Sequence, residues 1–326
     1  MAAQPRNIGF IGLGIMGLPM AINLAKKLPA KSRLYAYDIS ADALAKLLET
    51  ESDTDVQICK SSREVASNSD VTFTMVPEGS HVRAVYLSPD DGILASSDLS
   101  SKILIDCSTI DTATSSLVRS SLATQHPTAR FYDAPVSGGS LGAADGSLTL
   151  MLGAAADDPN GPLLRELLGL LGRSVFACGG PSMGLTAKLC NNYCSGLIAI
   201  ATAEAFNIGI RAGMDPRVLA QIFATSTAQS TICDKWNPVP GVCPAAPASK
   251  DYAGGFKVQL MKKDFGLAVA AAEHVGARLQ LGEAGLQTYA AASEDPNCRD
   301  RDSRVVFRYI GGDEDWATKI QGNPSS

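Results

Sequence analysis

A glycine-rich turn near the N-terminus constrains the fold of this chain more than any other feature. The apolar run Ile8-Gly9-Phe10-Ile11 is typical of a short buried strand, and it leads directly into Gly12-Leu13-Gly14-Ile15-Met16-Gly17 and an amphipathic stretch. A G-x-G-x-x-G turn between a strand and a helix suits the pyrophosphate of a dinucleotide, because its glycines allow a tight turn, a close backbone approach and close helix packing. The N-terminus of the helix then faces the phosphate charge. The pattern therefore predicts a dinucleotide-binding domain.

Strands and helices alternate through the first half of the chain. Apolar runs at residues 8–11, 34–38, 71–76, 103–106, 131–134 and 148–152 predict strands, and amphipathic stretches at 17–27, 42–48 and 112–122 predict helices. Alternation of this kind builds one parallel sheet with helices on both faces. We therefore expect an α/β chain whose N-terminal part is a doubly wound, Rossmann-type sheet.

The pattern changes after Gly179-Gly180-Pro181, which interrupts regular structure. Residues 183–211, 215–225, 263–275 and 282–293 predict helices, and no further strand-like run follows. The proline-rich residues 236–252 predict a long surface loop packed on the helices, and the polar tail after Gly311 is expected to fray. The expected organisation is a Rossmann domain at 1–178 and an all-helical domain at 179–326. A long interdomain helix joins them and starts in the cleft between them.

Composition and charge exclude several classes of function. The 326 residues are 45% apolar and 19% charged, so the chain can bury a large core. With a net charge of −5 and no Lys/Arg run longer than two, it lacks the clustered positive footprint of a nucleic-acid-binding protein. The longest apolar run, near residues 195–203, is too short for a membrane span, and the first strand starts too early to leave room for a signal peptide.

The cysteines favour neither a metal site nor a disulfide framework. There are eight, but they form no C-x-x-C pair and no Cys/His spacing typical of zinc. A chain of this size needs no disulfides, so we interpret the cysteines as reduced thiols of an intracellular protein. We expect no metal.

The acidic residue that ends the second strand favours NAD over NADP. Asp38 lies 21 residues after Gly17, where a carboxylate can accept hydrogen bonds from both ribose hydroxyls and repel a 2′-phosphate. Its neighbours Ile39 and Ser40 are not basic. The alternative interpretation is that Asp38 only caps a helix or stabilises a turn.

Two residues at the end of the third strand could line the nicotinamide. Val76 and Pro77 close that strand at the carboxyl edge of the sheet, where ligands bind in open α/β sheets. A simple end to the strand explains them equally well.

Two segments suggest a reaction centre. Ser137-Gly138-Gly139 offers consecutive backbone N–H groups with little steric cover, which suits a carboxylate, although a plain glycine loop is an equal alternative. Lys188 stands in an otherwise apolar helix beginning, one turn before Asn192, and removing a hydride from an alcohol requires a group that takes the hydroxyl proton. Periodicity alone would favour a solvated surface lysine. None of the three histidines suits the role.

Taken in order, these motifs resemble the β-hydroxyacid dehydrogenases, and the resemblance covers nearly the whole chain. It rests on the glycine turn and on the segments Asp133-Ala134-Pro135-Val136-Ser137-Gly138-Gly139, Gly184 to Asn192, and Lys263-Asp264. Within the family, Asn237-Pro238-Val239-Pro240-Gly241-Val242 and Gly254-Gly255-Phe256 are most similar to the branch that acts on 3-hydroxyisobutyrate. Phe265 departs from the leucine common in the family, and residues 295–303 are unusually charged.

The resemblance implies a role for each matching residue. Lys188 would be the general acid/base, and Asn192 would hold the substrate and orient that lysine. Ser137, Gly138 and Gly139 would bind the substrate carboxylate, and Thr109 would lie between substrate and cofactor. The residues implied to contact the cofactor are Gly12, Leu13, Gly14, Ile15, Met16, Gly17, Asp38, Val76, Pro77, Thr109, Phe256 and Lys263.

The resemblance also implies a reaction and a setting. The reaction is NAD-dependent oxidation of 3-hydroxyisobutyrate to methylmalonate semialdehyde, a step of valine breakdown. The protein would be a homodimer or homotetramer, located in mitochondria although no transit peptide is visible, or otherwise in the cytoplasm.

Two other functions compete with this one. A glyoxylate or semialdehyde reductase of the same family would prefer NADPH, which Asp38 disfavours. A binding module that kept only the fold could have lost the lysine, and Lys188 is present.

Overall fold

The computed structural model describes residues 7–29, 31–50 and 55–321, and the expectation about a leader at residues 1–6 lies outside that range. The chain divides into two compact units, residues 1–188 and residues 189–326.

A six-stranded parallel sheet in the order β3-β2-β1-β4-β5-β6 forms the centre of the first unit. Its strands are β1 (Asn7–Ile11), β2 (Arg33–Tyr37), β3 (Val56–Ile58), β4 (Val71–Thr74), β5 (Ile103–Asp106) and β6 (Arg130–Asp133). The chain moves outward from β1 in one direction and then returns to continue from β4 in the other. This order confirms the doubly wound, Rossmann-type prediction.

Helices connect these strands: α1 (Gly17–Lys27), α2 (Ala41–Thr50), α3 (Ser62–Asn68), α4 (Gly79–Leu87) and α5 (Thr112–Gln125). Every residue of β4 and β5 is buried, as in a sheet covered on both faces. Side-chain caps fix two helix starts, since Ser61 accepts the Glu64 N–H and Asp111 accepts the Thr114 N–H. The sequence patterns missed β3, α3 and α4, which are short.

The prediction that residues 148–152 join the main sheet is wrong. They form β8 (Leu148–Leu152) of a separate sheet, antiparallel to β7 (Val136–Ser137) and parallel to β9 (Gly172–Ala177). Only residues 138–147, including α6 (Gly139–Ala144), connect β7 to β8, and a parallel crossover needs a longer connection. A second helix, α7 (Gly161–Gly169), connects β8 to β9.

Helices make up nearly all regular structure in the described part of the second unit. They are α8 (Met183–Arg211), α9 (Pro216–Ala224), α10 (Thr231–Lys235), α11 (Val258–His274), α12 (Gly282–Glu294), α13 (Val306–Tyr309) and α14 (Trp316–Gln321). The bounds of α8 match the sequence prediction, and the unit boundary falls inside this helix. The helix predicted at 263–275 begins earlier, at Val258.

Two segments expected to be peripheral are partly built into the core. In the proline-rich segment, Val239 and Tyr252 are fully buried. The tail forms α14, and the buried Trp316 donates its indole N–H to the Pro240 carbonyl at 2.9 Å. The expectation that this tail frays is therefore wrong for residues 316–321.

Helix α8 is long and apolar enough to cross a membrane, judged by length and composition. It is the one helix in the described ranges that meets this test, with a mean hydropathy of 1.3 and a third of its apolar window buried. One such helix is weak evidence, because the central helix of a globular protein meets the same test.

Candidate functional site

The glycine turn between β1 and α1 is required by the fold at two positions and open at a third. Gly12 has φ of +93°, and a Cβ there would lie 2.3 Å from the Met75 carbonyl oxygen. A Cβ on Gly17 would lie 1.9 Å from the Gly12 carbonyl oxygen. A Cβ on Gly14, in contrast, would meet no atom within 4 Å. The backbone at Gly14 is thus left clear for a ligand, and the turn fits a dinucleotide pyrophosphate.

Asp38 is attached to this turn. Its Oδ2 accepts the Leu13 N–H at 2.5 Å, and its Oδ1 accepts the Ser40 N–H at 2.7 Å. The second bond is the turn interaction that the alternative interpretation required, and the first brings the carboxylate to the dinucleotide loop. The turn interpretation of Asp38 is confirmed, and its role toward the ribose stays a prediction.

A groove of about 440 Å³ lies beside the turn, and its lining includes a lysine that the sequence patterns did not reveal. Its lining includes Leu13, Gly14, Ile15 and Asp38, together with Lys46 from α2. The sequence analysis considered only the two residues after Asp38. Lys46 lies eight residues after Asp38, and helix α2 brings it back to the groove. A cation in this groove bears on the choice between NAD and NADP.

The ends of β4 and β5 carry three further predicted site residues. Val76, Pro77 and Thr109 follow these neighbouring strands at the carboxyl edge of the sheet, and each is at least partly exposed. The Val76 N–H donates to the Ser108 Oγ at 2.9 Å, which links the two loops.

Beneath this edge lies a buried carboxyl group, Asp106. Its Oδ1 accepts the Thr74 hydroxyl at 2.8 Å and the Ser108 N–H at 3.1 Å. Burial raises the pKa of Asp106 to about 6, against the effect of these hydrogen bonds.

The predicted carboxylate loop follows β7. Gly138 has φ of +139° and Gly139 has φ of +65°, a backbone region that favours glycine. No atom lies within 4 Å of a Cβ position on Gly139, so the space beside this glycine is open. This geometry is compatible with binding a carboxylate.

Lys188 is 8% exposed, so its interpretation as a solvated surface lysine is wrong. It lies on α8 close to Leu185 and Leu189, both buried. Lysines are rarely buried without a partner or a function. Burial therefore distinguishes Lys188 from the other lysines named above.

Further along α8, Asn192 is held by a residue to which the sequence assigned no role. The Asn192 side-chain N–H donates to Asp264 Oδ2 at 2.6 Å, and Lys263 Nζ lies 3.0 Å from Asp264 Oδ1. Asp264 is 2% exposed. The buried carboxylate thus connects a predicted substrate ligand with a predicted cofactor ligand. Its position beside Lys263 in the Lys-Asp motif was the available signal.

Phe256 follows two glycines of positive φ, and its N–H donates to Asp302 Oδ2 at 2.8 Å. Its side chain packs partly buried against the helical core of the second unit.

Comparison with known proteins identifies both halves of the chain. Residues 7–180 match the model of the NAD binding domain of 6-phosphogluconate dehydrogenase. Residues 182–310 match the model described as NAD-binding of NADP-dependent 3-hydroxyisobutyrate dehydrogenase.

Individual relatives agree with these matches. A probable mitochondrial 3-hydroxyisobutyrate dehydrogenase of Dictyostelium discoideum is 42% identical, over 94% of this chain and 92% of its own length. An NAD-dependent L-serine dehydrogenase of Pseudomonas aeruginosa is 38% identical, over 87% and 91%. A solved structure of Mycobacterium tuberculosis 3-hydroxyisobutyrate dehydrogenase with L-serine superposes with a TM-score of 0.82 at 30% identity, covering 94% of this chain and 99% of that one.

Proposed function

Because this chain belongs to the β-hydroxyacid dehydrogenase family of NAD-dependent oxidoreductases, we propose that it oxidises 3-hydroxyisobutyrate to methylmalonate semialdehyde. The observation that carries the proposal is the buried Lys188 at the beginning of α8, in a chain whose glycine turn fits a dinucleotide. The names of several relatives support this substrate.

The residues of the chain would divide the chemistry as follows. Held at the glycine turn, NAD would supply the acceptor for the hydride of the alcohol carbon. Lys188, neutral at the start, takes the hydroxyl proton on its Nζ. Backbone N–H groups of Ser137, Gly138 and Gly139 hold the substrate carboxylate. Asn192 would hold the substrate and orient Lys188.

The remaining site residues would bind and orient the cofactor. The turn from Gly12 to Gly17 receives the pyrophosphate, and Asp38 accepts hydrogen bonds from the ribose. Val76, Pro77 and Thr109 line the nicotinamide side, with Thr109 also facing the substrate. Phe256 and Lys263 contribute from the helical domain.

L-Serine is a second candidate substrate. A relative named as an L-serine dehydrogenase covers most of this chain, and the M. tuberculosis structure is one with L-serine. L-Serine shares a carboxylate and a 3-hydroxyl group with 3-hydroxyisobutyrate, so the same lysine and the same carboxylate loop would serve both.

The experiment that tests this proposal is a screen of NADH absorbance. The substrates are 3-hydroxyisobutyrate, L-serine, 3-hydroxypropionate and D-glycerate with NAD, and glyoxylate with NADH and NADPH. The highest kcat/KM is expected for 3-hydroxyisobutyrate. A higher value for L-serine would transfer the proposal to that substrate, and activity confined to glyoxylate with NADPH would favour the reductase.

Organisation and location complete the proposal. Residues 1–178 would bind NAD, and residues 179–326 would contribute to the substrate site and form a homodimer or homotetramer. Mitochondrial location is supported by the names of relatives such as that of D. discoideum, although bacterial relatives also match. Light scattering on the purified protein measures its oligomeric state, and fractionation of the source cell tests its location.

A further inference from the structure

Asp133 is a buried carboxylate to which the proposed reaction assigns no role. It ends β6 and is 2% exposed. Its Oδ1 accepts the Ser182 N–H at 2.7 Å, and its Oδ2 accepts the Leu185 N–H at 2.8 Å. Ser182 immediately precedes α8 and Leu185 lies in its first turn, about 50 residues further along the chain. One side chain thus attaches the start of this helix to the end of a sheet strand.

Two glycines leave space for this carboxylate. A Cβ on Gly153 would lie 2.0 Å from Asp133 Oδ1, and a Cβ on Gly184 would lie 2.8 Å from Asp133 Oδ2. The Gly153 N–H also donates to the Asp133 carbonyl at 2.7 Å. A side chain at Gly153 would collide directly with the carboxylate, whereas one at Gly184 would first meet the Met151 carbonyl oxygen, at 2.0 Å.

The bond to Ser182 holds an uncommon backbone conformation. Ser182 has φ of +64°, a left-handed conformation that a non-glycine residue keeps only where its surroundings hold it in place. The first N–H groups of a helix have no partner within the helix, and a negative charge there is favourable. Asp133 satisfies both needs, and so fixes where and in which direction α8 begins.

Lys188 lies on this fixed segment, three residues after Leu185. Asp133 is also close in sequence to the carboxylate loop, because Ser137-Gly138-Gly139 begins four residues after it. We propose that Asp133 is a positioning residue for Lys188: by attaching the first turn of α8 to the end of β6, it holds the lysine at a constant distance from the carboxylate loop. This inference rests on the proposed function and extends it.

The test compares Asp133→Asn with wild type in the full-length protein. The amide keeps the volume of the carboxylate, but only one of its two ends can accept an N–H, so one of the two bonds to α8 is lost. We expect kcat for the oxidised hydroxy acid to fall at least tenfold, while KM and the Kd for NADH change less than threefold. Active sites are counted by NADH binding, because a merely structural defect lowers their number and not the turnover of each.

Two further variants make the comparison specific. Gly153→Ala keeps the charge but displaces the carboxylate, and it should reproduce the loss in kcat. Asp158→Asn is the matched control, because Asp158 accepts the hydroxyl of Tyr132, the neighbour of Asp133 on β6, and the N–H of Asn160. It should keep the wild-type kcat even where it lowers the melting temperature.

A double variant then separates this inference from the proposed function. In the Lys188→Ala background, Asp133→Asn should lower the residual rate less than twofold, because a positioning residue acts through the group it positions. An equal loss in both backgrounds, or a rise in KM at constant kcat, would overturn the inference. Where the double variant has no measurable turnover, the kcat and KM of the single variants decide. A wild-type rate for Lys188→Ala refutes the role of the lysine itself, and is a separate result.

Discussion

The glycine turn and the beginning of α8 differ in the kind of group that they contribute to the proposed site: backbone in the turn, and a buried side chain in α8. The turn works through backbone, and its function depends on side chains that are absent at Gly12, Gly14 and Gly17. In the proposed reaction, the beginning of α8 would work through the side chain of Lys188, which is buried and follows a helix start attached to Asp133 of a distant strand. A local pattern is enough to recognise the first arrangement, whereas the second exists only in the folded chain. Substitutions in the two regions should therefore fail differently.

The largest expected effect is at the lysine. Lys188→Ala should lower kcat by ~10²–10⁴-fold and leave the Kd for NADH within about threefold, because proton transfer by a positioned side chain contributes a factor of that size. Lys250→Ala is the matched control, since Lys250 is exposed and lies far along the chain. Initial rates and NADH fluorescence titration measure the two quantities. A Lys188→Ala rate above about a tenth of wild type would remove the lysine from the chemistry.

Substitutions in the glycine turn should lower either the stability of the fold or the affinity for NADH, depending on the position changed. Gly17→Ala places a methyl group 1.9 Å from the Gly12 carbonyl oxygen, so a lower melting temperature and loss of NADH binding are expected together. Gly14→Ala meets no protein atom within 4 Å, so it should keep the melting temperature within ~2 °C and weaken NADH binding about tenfold, ~1.4 kcal/mol. Wild-type affinity in Gly14→Ala would show that no ligand approaches this backbone. Calorimetry and fluorescence titration distinguish the two outcomes.

Sequence patterns predicted the elements that repeat locally and missed the contacts that join distant ones. The bounds of α8 and the main strands follow from apolar periodicity, which neighbouring residues carry. Asp133 and Asp264 receive their partners from other elements, 49 residues away for the Asp133 bond to Ser182 and 72 for the bond between Asn192 and Asp264. Lys46 lines its groove with residues of other elements. No local pattern encodes such a partner.

The same reason explains the errors in the fold. Residues 148–152 alternate like any half-buried strand, and only the short connection from β7 directs them to a second sheet. The tail looked polar because its buried anchor is a single residue, Trp316, whose acceptor at Pro240 lies 76 residues earlier.

Cofactor choice tests whether the side chains around the glycine turn matter as well as its backbone. Asp38→Ala should lower the preference for NAD over NADP about tenfold or more, because it removes the carboxylate that would repel a 2′-phosphate. The double variant with Lys46→Ala should recover part of this preference, since Lys46 lines the same groove and can attract that phosphate. The measurement is kcat/KM for each cofactor at saturating substrate. Equal use of both cofactors by wild type would contradict the role given to Asp38.

The last prediction concerns stability and the buried carboxyl beneath the carboxyl ends of β4 and β5, beside the strand that ends in Asp133. Burial raises the pKa of Asp106 to about 6, whereas an unfolded aspartate titrates near 4. Between these values the folded chain holds a proton that the unfolded chain has released, so stability falls as pH rises from about 4 to about 6 and then levels off. Asp106→Asn lacks this titration and keeps an oxygen that can accept the Thr74 hydroxyl. Its stability relative to wild type should therefore grow over that range by ~1–3 kcal/mol and stay constant above it.

Urea unfolding at pH 4.5, 5.5, 6.5 and 7.5 measures this difference, and a constant offset between the two proteins would show that Asp106 keeps its charge in the fold. In that case the hydrogen bonds from Thr74 and Ser108 outweigh desolvation.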